Sequence, residues 1–116
     1  MISQGEVHWV DFGNPRGSEP GYRHPCVIVQ NDAFNASRIP TVVVAAITTN
    51  LRLGEAFGNV TLRKGEGGLP QRSVVNISQL ATVDRSMLAG RLGRLGAARL
   101  QEILRGIYAL LEPVRL

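Results

Sequence analysis

TVVVAAIT, residues 41–48, is β-branched at every position except Ala45 and Ala46 and shows no strict alternation of polar and apolar side chains. Branching at Cβ favours extended backbone. A strand that is apolar on both sides must also be covered on both sides. The stretch therefore predicts a strand at the centre of the domain.

Working outward, Glu6-Val7-His8-Trp9-Val10-Asp11-Phe12 alternates polar and apolar residues, which suits a strand with one face in the core. Trp9 alternates with Val7 and reads as core. Residues 13–21, GNPRGSEPG, then make a loop too long for a tight hairpin, and long ordered loops in small domains often carry function. Pro25 to Gln30 is the second strand. Residues 31–38, NDAFNASR, read as a polar turn or one helical turn capped by Asn31 or Asp32.

Downstream, residues 50–58 and 63–71 are loops, with short strands at 59–62 and 73–77. Residues 81–83 and a piece near Arg91 add further edges. Ala97, Leu100, Ile103, Leu104, Ile107 and Leu111 recur at three- and four-residue steps, with Arg99, Glu102 and Arg105 on the other side, so the last segment is an amphipathic helix ended by Pro113. Five to seven short strands separated by loops suggest a small barrel rather than a parallel sheet. The helix either covers the open side of a curved sheet or packs on its twin in a dimer.

A chain of 116 residues accommodates one domain, here 1–116. With 44% hydrophobic and 19% charged residues it has the means to bury a core and lacks the composition of a disordered chain. The formal net charge of +4 comes almost wholly from arginine, since Lys64 is the single lysine among 13 basic residues. Arginine's planar fork matches phosphate oxygens, which points to a nucleic acid or an acidic protein, although an arginine-rich genome leaves the same count. The longest mostly apolar run, 41–49, is far shorter than the roughly 20 residues that span a bilayer, and the N-terminus lacks the pattern of a signal peptide. The expectation is a cytoplasmic protein without a membrane partner. Cys26 is the sole cysteine, which excludes an intramolecular disulfide and a thiolate zinc cluster and leaves a buried apolar residue. His8 and His24 stand in no metal-ligand spacing with carboxylates, so no metal or cofactor is expected.

The segments GEVHWVDFGNPRGSEPGYRHPCVIVQND, TVVVAAITTN, GNVTL, GLPQRSVVNISQLATVD and GRLG resemble, in order and spacing, the MazF/PemK toxins of bacterial toxin-antitoxin systems. The match runs from about Gly5 to Leu111. The resemblance implies a mainly β (α+β) fold, a small SH3-like antiparallel barrel with a C-terminal helix, in a homodimer. It also implies a metal-independent endoribonuclease that cuts single-stranded RNA, often messenger RNA, at short sequences and leaves 2′,3′-cyclic phosphate and 5′-hydroxyl ends. An acidic antitoxin is the implied protein partner, and DNA would be met only indirectly, through an antitoxin complex.

That chemistry requires a proton removed from the 2′-hydroxyl, stabilised charge on the phosphoryl oxygens, and a protonated leaving group. Thr48 matches the family's catalytic threonine; without the resemblance it reads as a strand-closing residue. The family's arginine immediately before the strand-opening proline is replaced here by His24, with Arg23 one step further back. His24 in the catalytic slot serves as general base or acid, histidine being the side chain that exchanges protons near neutral pH, with Arg23 as fixed charge beside it. The alternatives are a bent loop that brings Arg23 to the phosphate, or loss of activity.

Ser18 and Glu19 match the family in the same loop, the one to bind phosphate or order the loop, the other to orient the basic pair; a plain turn is the alternative. Tyr22 is a candidate to stack on a base. Arg52, Arg63 and Lys64 are candidates for a rim along the RNA backbone. Arg72 stands where the family commonly has an acid. Ser73 and Gln79 are candidates for base or partner contacts, and equally for structural roles. Two rivals remain. One is an inactive RNA- or antitoxin-binding module. The other is a gyrase-directed protein binder, against which the lack of a C-terminal tryptophan argues.

Overall fold

The computed structural model of the chain describes residues 1–14, 17 and 22–114. Six strands, β1 (Glu6–Asp11), β2 (Arg23–Ile28), β3 (Thr41–Thr48), β4 (Val60–Leu62), β5 (Ser73–Asp84) and β6 (Leu88–Arg94), form one antiparallel sheet in the order β4-β5-β3-β2-β1-β6. A single turn of helix, α1 (Asp32–Asn35), links β2 to β3, and the long helix α2 (Ala97–Leu111) ends the fold. The architecture is mainly β, a curled sheet with one C-terminal helix, as expected.

β3 lies inside the sheet, and its lack of alternation has a direct cause, because each face meets a different core. Ala45 and Ile47 join Val7, Val27, Leu62, Val75 and Ile103 on the side that α2 covers. Val42, Val44 and Ala46 join Val10, Cys26, Ile28 and Val83 on the other. Cys26 is fully enclosed there, and burial pushes its thiol up to about 12. Two expectations change. Residues 73–77 and 81–83 are parts of one strand, since β5 crosses a register shift between its pairings Asn76↔Ala46 and Leu80↔Ala45 and continues. The extra residues of that bulge bend β5 so that one strand serves both cores. Trp9 is half-buried and belongs to neither core.

Asn31 caps α1 by accepting from the Ala33 N–H at 2.8 Å. Helix α2 stops at Glu112, whose backbone turns extended ahead of Pro113 as pre-proline sterics demand. Ile103 is buried, and Leu104 and Ile107 pack beside it, whereas Tyr108 and Leu111 stay exposed. The apolar stripe is thus split between the sheet and solvent. The close approach of the helix explains Gly106, since a Cβ there would lie 2.4 Å from the Gly58 carbonyl oxygen.

The turn at residues 66–68 packs against β6 and draws the curled sheet together, and a bidentate ion pair fastens it. Arg99 donates from Nε and Nη2 to Glu66 at 2.9 and 3.2 Å, and Glu66 also accepts from the Arg63 N–H at 2.6 Å. The Arg99 bonds, helped by that N–H, hold the Glu66 carboxyl below its ordinary value of 4.5. A lowered carboxyl stabilises the fold above the unfolded-state value and loses that contribution as pH falls through the folded one. Arg99→Ala should therefore cost about 1 kcal/mol in urea unfolding at neutral pH. The difference from wild type should shrink well below pH 4.5; an equal difference in acid would show that the loss is packing alone.

Candidate active site at one end of the sheet

Antiparallel pairing brings the end of β1, the start of β2, the end of β3, the end of β4, the start of β5 and the start of β6 to the same edge of the sheet. Arg23 and His24 open β2 there and Thr48 closes β3. Arg52 follows β3, Arg63 and Lys64 follow β4, and Arg72 precedes β5. All five basic side chains are exposed. Residues far apart in sequence thus meet at one basic rim.

The hairpin that presents Arg23 and His24 is held at its neck, where the Phe12 N–H donates to the Tyr22 carbonyl at 2.7 Å and the Tyr22 N–H donates to the Gly13 carbonyl. Tyr22 has φ +58°, a left-handed conformation that costs a residue with a Cβ about 1–2 kcal/mol. The residue is 65% exposed. Ser18 and Glu19 lie outside the described residues.

From that neck, Asp11↔Arg23, Val10↔His24 and Trp9↔Pro25 are paired. The period of two then sends neighbouring side chains to opposite faces. Arg23 lies on the Trp9 side, its guanidinium carbon 5.8 Å from the indole centroid and its Nη2 donating to the Ala89 carbonyl at 3.4 Å. His24 lies on the other side, edge-on to Phe12 with ring centroids 6.4 Å apart.

The β2–β3 register runs Ile28↔Val44, Val27↔Ala45, Cys26↔Ala46. Carried two residues further, it brings His24 level with Thr48 on the same face. Thr48 is half-buried, and its Oγ1 accepts from the Asn50 N–H at 3.1 Å. With a lone pair so occupied, the hydroxyl proton is available to a ligand. Asn50 Oδ1 in turn accepts from the Arg52 N–H at 3.3 Å and starts the turn that carries Arg52. An imidazole and an oriented hydroxyl on one face, inside a basic rim, can exchange a proton and donate to an anion.

His8 is different. It is enclosed, with Nε2 3.1 Å from Glu6 Oε1, and Arg91 Nε stands 3.5 Å from the other carboxylate oxygen. Burial works against the Glu6 charge, but the His8 and Ser3 N–H bonds and the Arg91 charge outweigh it and hold the carboxyl below its ordinary value. This cluster is a structural clasp, whereas His24 is half-buried at the strand end and is the more accessible of the two histidines.

Two other candidates do not reach the rim surface. Ser73 is 2% exposed, and its hydroxyl donates to the Gln71 carbonyl at 2.9 Å, which favours the structural one of its two readings. Gln79 lies half-buried in the β5 bulge, away from the strand ends. Sequence reasoning missed Asn50 and misjudged Trp9. The Thr48-Thr49-Asn50 run carries a local signal, a hydroxyl and an amide that hydrogen-bond nearby backbone at a strand end. Trp9 carried none, because its place under Arg23 depends on a register set across a long loop.

A family model described as PemK-like, MazF-like toxin of type II toxin-antitoxin system matches residues 3–111. Endoribonuclease MazF6 of Mycobacterium tuberculosis is 39% identical over 112 residues, which cover 97% of this chain and 98% of that protein. Among solved structures, MazF of Deinococcus radiodurans superposes with a TM-score of 0.80 over 97% of each chain at 24% identity. An endoribonuclease in complex with its cognate antitoxin from a mycobacterial species superposes with a TM-score of 0.78 over 99% of this chain and 100% of that one, also at 24% identity. At that identity the structural likeness speaks for the fold.

Proposed function

We infer that this chain, which belongs to the PemK-like, MazF-like toxin family of type II toxin-antitoxin systems, is an endoribonuclease toxin. Its substrate is single-stranded RNA, messenger RNA above all, cut at short sequences to stop translation and growth. The observation that supports this reading most is the β2–β3 register, which, continued two residues past its last pair Cys26↔Ala46, sets His24 and Thr48 on one face at the sheet edge that also carries Arg23, Arg52, Arg63, Lys64 and Arg72. A solvent-facing basic rim attracts a polyanion.

In the proposed reaction the substrate's 2′-oxygen bonds to phosphorus as the bond to the 5′-oxygen breaks. Net, one proton passes from the 2′- to the 5′-oxygen, and 2′,3′-cyclic phosphate and 5′-hydroxyl ends result. His24 handles the transferred proton as general base or acid. Thr48 donates its hydroxyl to a phosphoryl oxygen, where negative charge develops. Arg23, on the opposite face of β2, stays off the cleaved phosphate and adds its charge to the rim that draws RNA in. No step requires a metal, and among the described residues no group of three or more His, Cys, Asp or Glu side chains is placed to hold one.

The partner is a cognate acidic antitoxin, drawn to the basic rim and competing there with RNA. The chain works as a homodimer; Phe57 at 89% exposure, with Tyr108 and Leu111 of α2, offers the apolar surface. It acts in the cytoplasm, and no helix among the described residues is long and apolar enough to cross a membrane.

The test is incubation of a mixed-sequence single-stranded RNA with the protein in EDTA. Cleavage with cyclic-phosphate and 5′-hydroxyl ends is expected. Intact RNA across a broad set of sequences, with binding retained, would leave an inactive binding module.

A further inference from the structure

We propose that Trp9, Arg23 and the Ala89 carbonyl form a second nucleotide subsite, on the face of β2 opposite His24, that holds the phosphate next to the cleaved one. The inference rests on the ribonuclease reading and adds a subsite to it. The 5.8 Å between guanidinium and indole centroid lies within the range over which a cation and a π-face attract. The 3.4 Å bond to Ala89 comes from a different strand, so β1 and β6 together hold an exposed side chain of β2. The row beneath is low. Trp9 is flanked by Pro25 on β2 and Gly90 on β6, and a Cβ built on Gly90 would meet nothing within 4 Å.

Among the described residues the Ala89 carbonyl is the one hydrogen-bond partner of the Arg23 guanidinium. A guanidinium has five N–H donors, and a phosphate takes two of them in parallel. Stacking on the indole keeps the fork still before RNA arrives, which lowers the ordering cost of binding. His24 and Thr48 face the other way, so a phosphate on Arg23 is a different phosphate from the one they act on. The RNA backbone then crosses the strand end, where Tyr22 stands exposed with an aromatic face for the intervening base. In this arrangement Arg23 binds, and Trp9 is a positioning residue that acts through it.

The test compares cleavage kinetics on a short RNA with the affinity for its uncleavable 2′-O-methyl counterpart. Arg23→Ala should raise KM and the 2′-O-methyl Kd about 10-fold while kcat stays near wild type. It should also lower the salt slope of binding by about 0.7. Trp9→Leu should weaken binding in the same direction, Trp9→Phe should restore it, and Arg23→Ala combined with Trp9→Leu should be no worse than Arg23→Ala alone. Trp9 is the sole tryptophan, so Arg23→Ala should shift its emission in the free protein. Should Trp9→Leu fail to fold, Trp9→Phe and Arg23→Ala carry the test. A fall in kcat with unchanged KM in Arg23→Ala would put Arg23 at the cleaved phosphate and overturn the proposal, as would an unchanged emission spectrum. If the wild type cuts no RNA, the ribonuclease reading falls, and the 2′-O-methyl arm still decides: equal binding by wild type and Arg23→Ala overturns the subsite, and weakened binding supports it.

Discussion

Thr48→Ala should cleave single-stranded RNA about 10²- to 10³-fold more slowly than wild type, the loss seen when one donor to a developing oxyanion is removed. The Asn50 N–H already donates to Thr48 Oγ1, which fixes the hydroxyl and leaves its proton to be given away. Alanine removes that donor. Little else depends on the side chain, because Thr48 is half-buried at the last position of β3 and the Asn50 bond is exposed. The cost to stability should stay near or below about 1 kcal/mol, the net worth of one solvent-accessible hydrogen bond. Thr48→Ser keeps the hydroxyl and should retain most of the activity. Single-turnover rates beside thermal midpoints separate the two effects; a Thr48→Ala rate close to wild type would reduce the residue to a strand end.

The centre of the fold was readable from residues 41–48 because β-branching and missing alternation both report what surrounds a strand. The continuity of β5 was not, because a bulge inserts residues that break the period of two and imitate a strand boundary between Ile77 and Ala81. At the site, alternation alone already says that Arg23 and His24 point to opposite faces. What it does not say is which face meets what. That depends on pairing Trp9 with Pro25 across a loop whose length sets no register. Ser73 shows the converse, since its hydroxyl, read as a possible contact, is spent on a carbonyl two residues away. Long-range register and local hydrogen bonding, rather than residue type, decided these positions.

His24→Ala should lower kcat by about 10²- to 10⁴-fold, the usual contribution of a positioned proton-transfer group, with KM little changed. The argument has three parts. His24 is half-buried at the strand end, whereas His8 is enclosed against Glu6. The edge-on Phe12 ring supports the imidazole from within, so its orientation is set before RNA binds. The β2–β3 register, continued two residues beyond Cys26↔Ala46, sets it level with Thr48. If the imidazole moves the proton, the pH profile of kcat must differ between the wild type and His24→Ala. His24→Arg separates charge from proton transfer, because a guanidinium keeps its proton and its charge. Cleavage by His24→Arg should continue with the pH profile of His24→Ala, as expected if a fixed cation in this slot stabilises the phosphoryl charge while water supplies the proton traffic. A His24→Ala enzyme with unaltered rate and pH profile would exclude the imidazole from the reaction and return the catalytic slot to Arg23, which would in turn require Arg23 to leave Trp9 and cross to the face of Thr48.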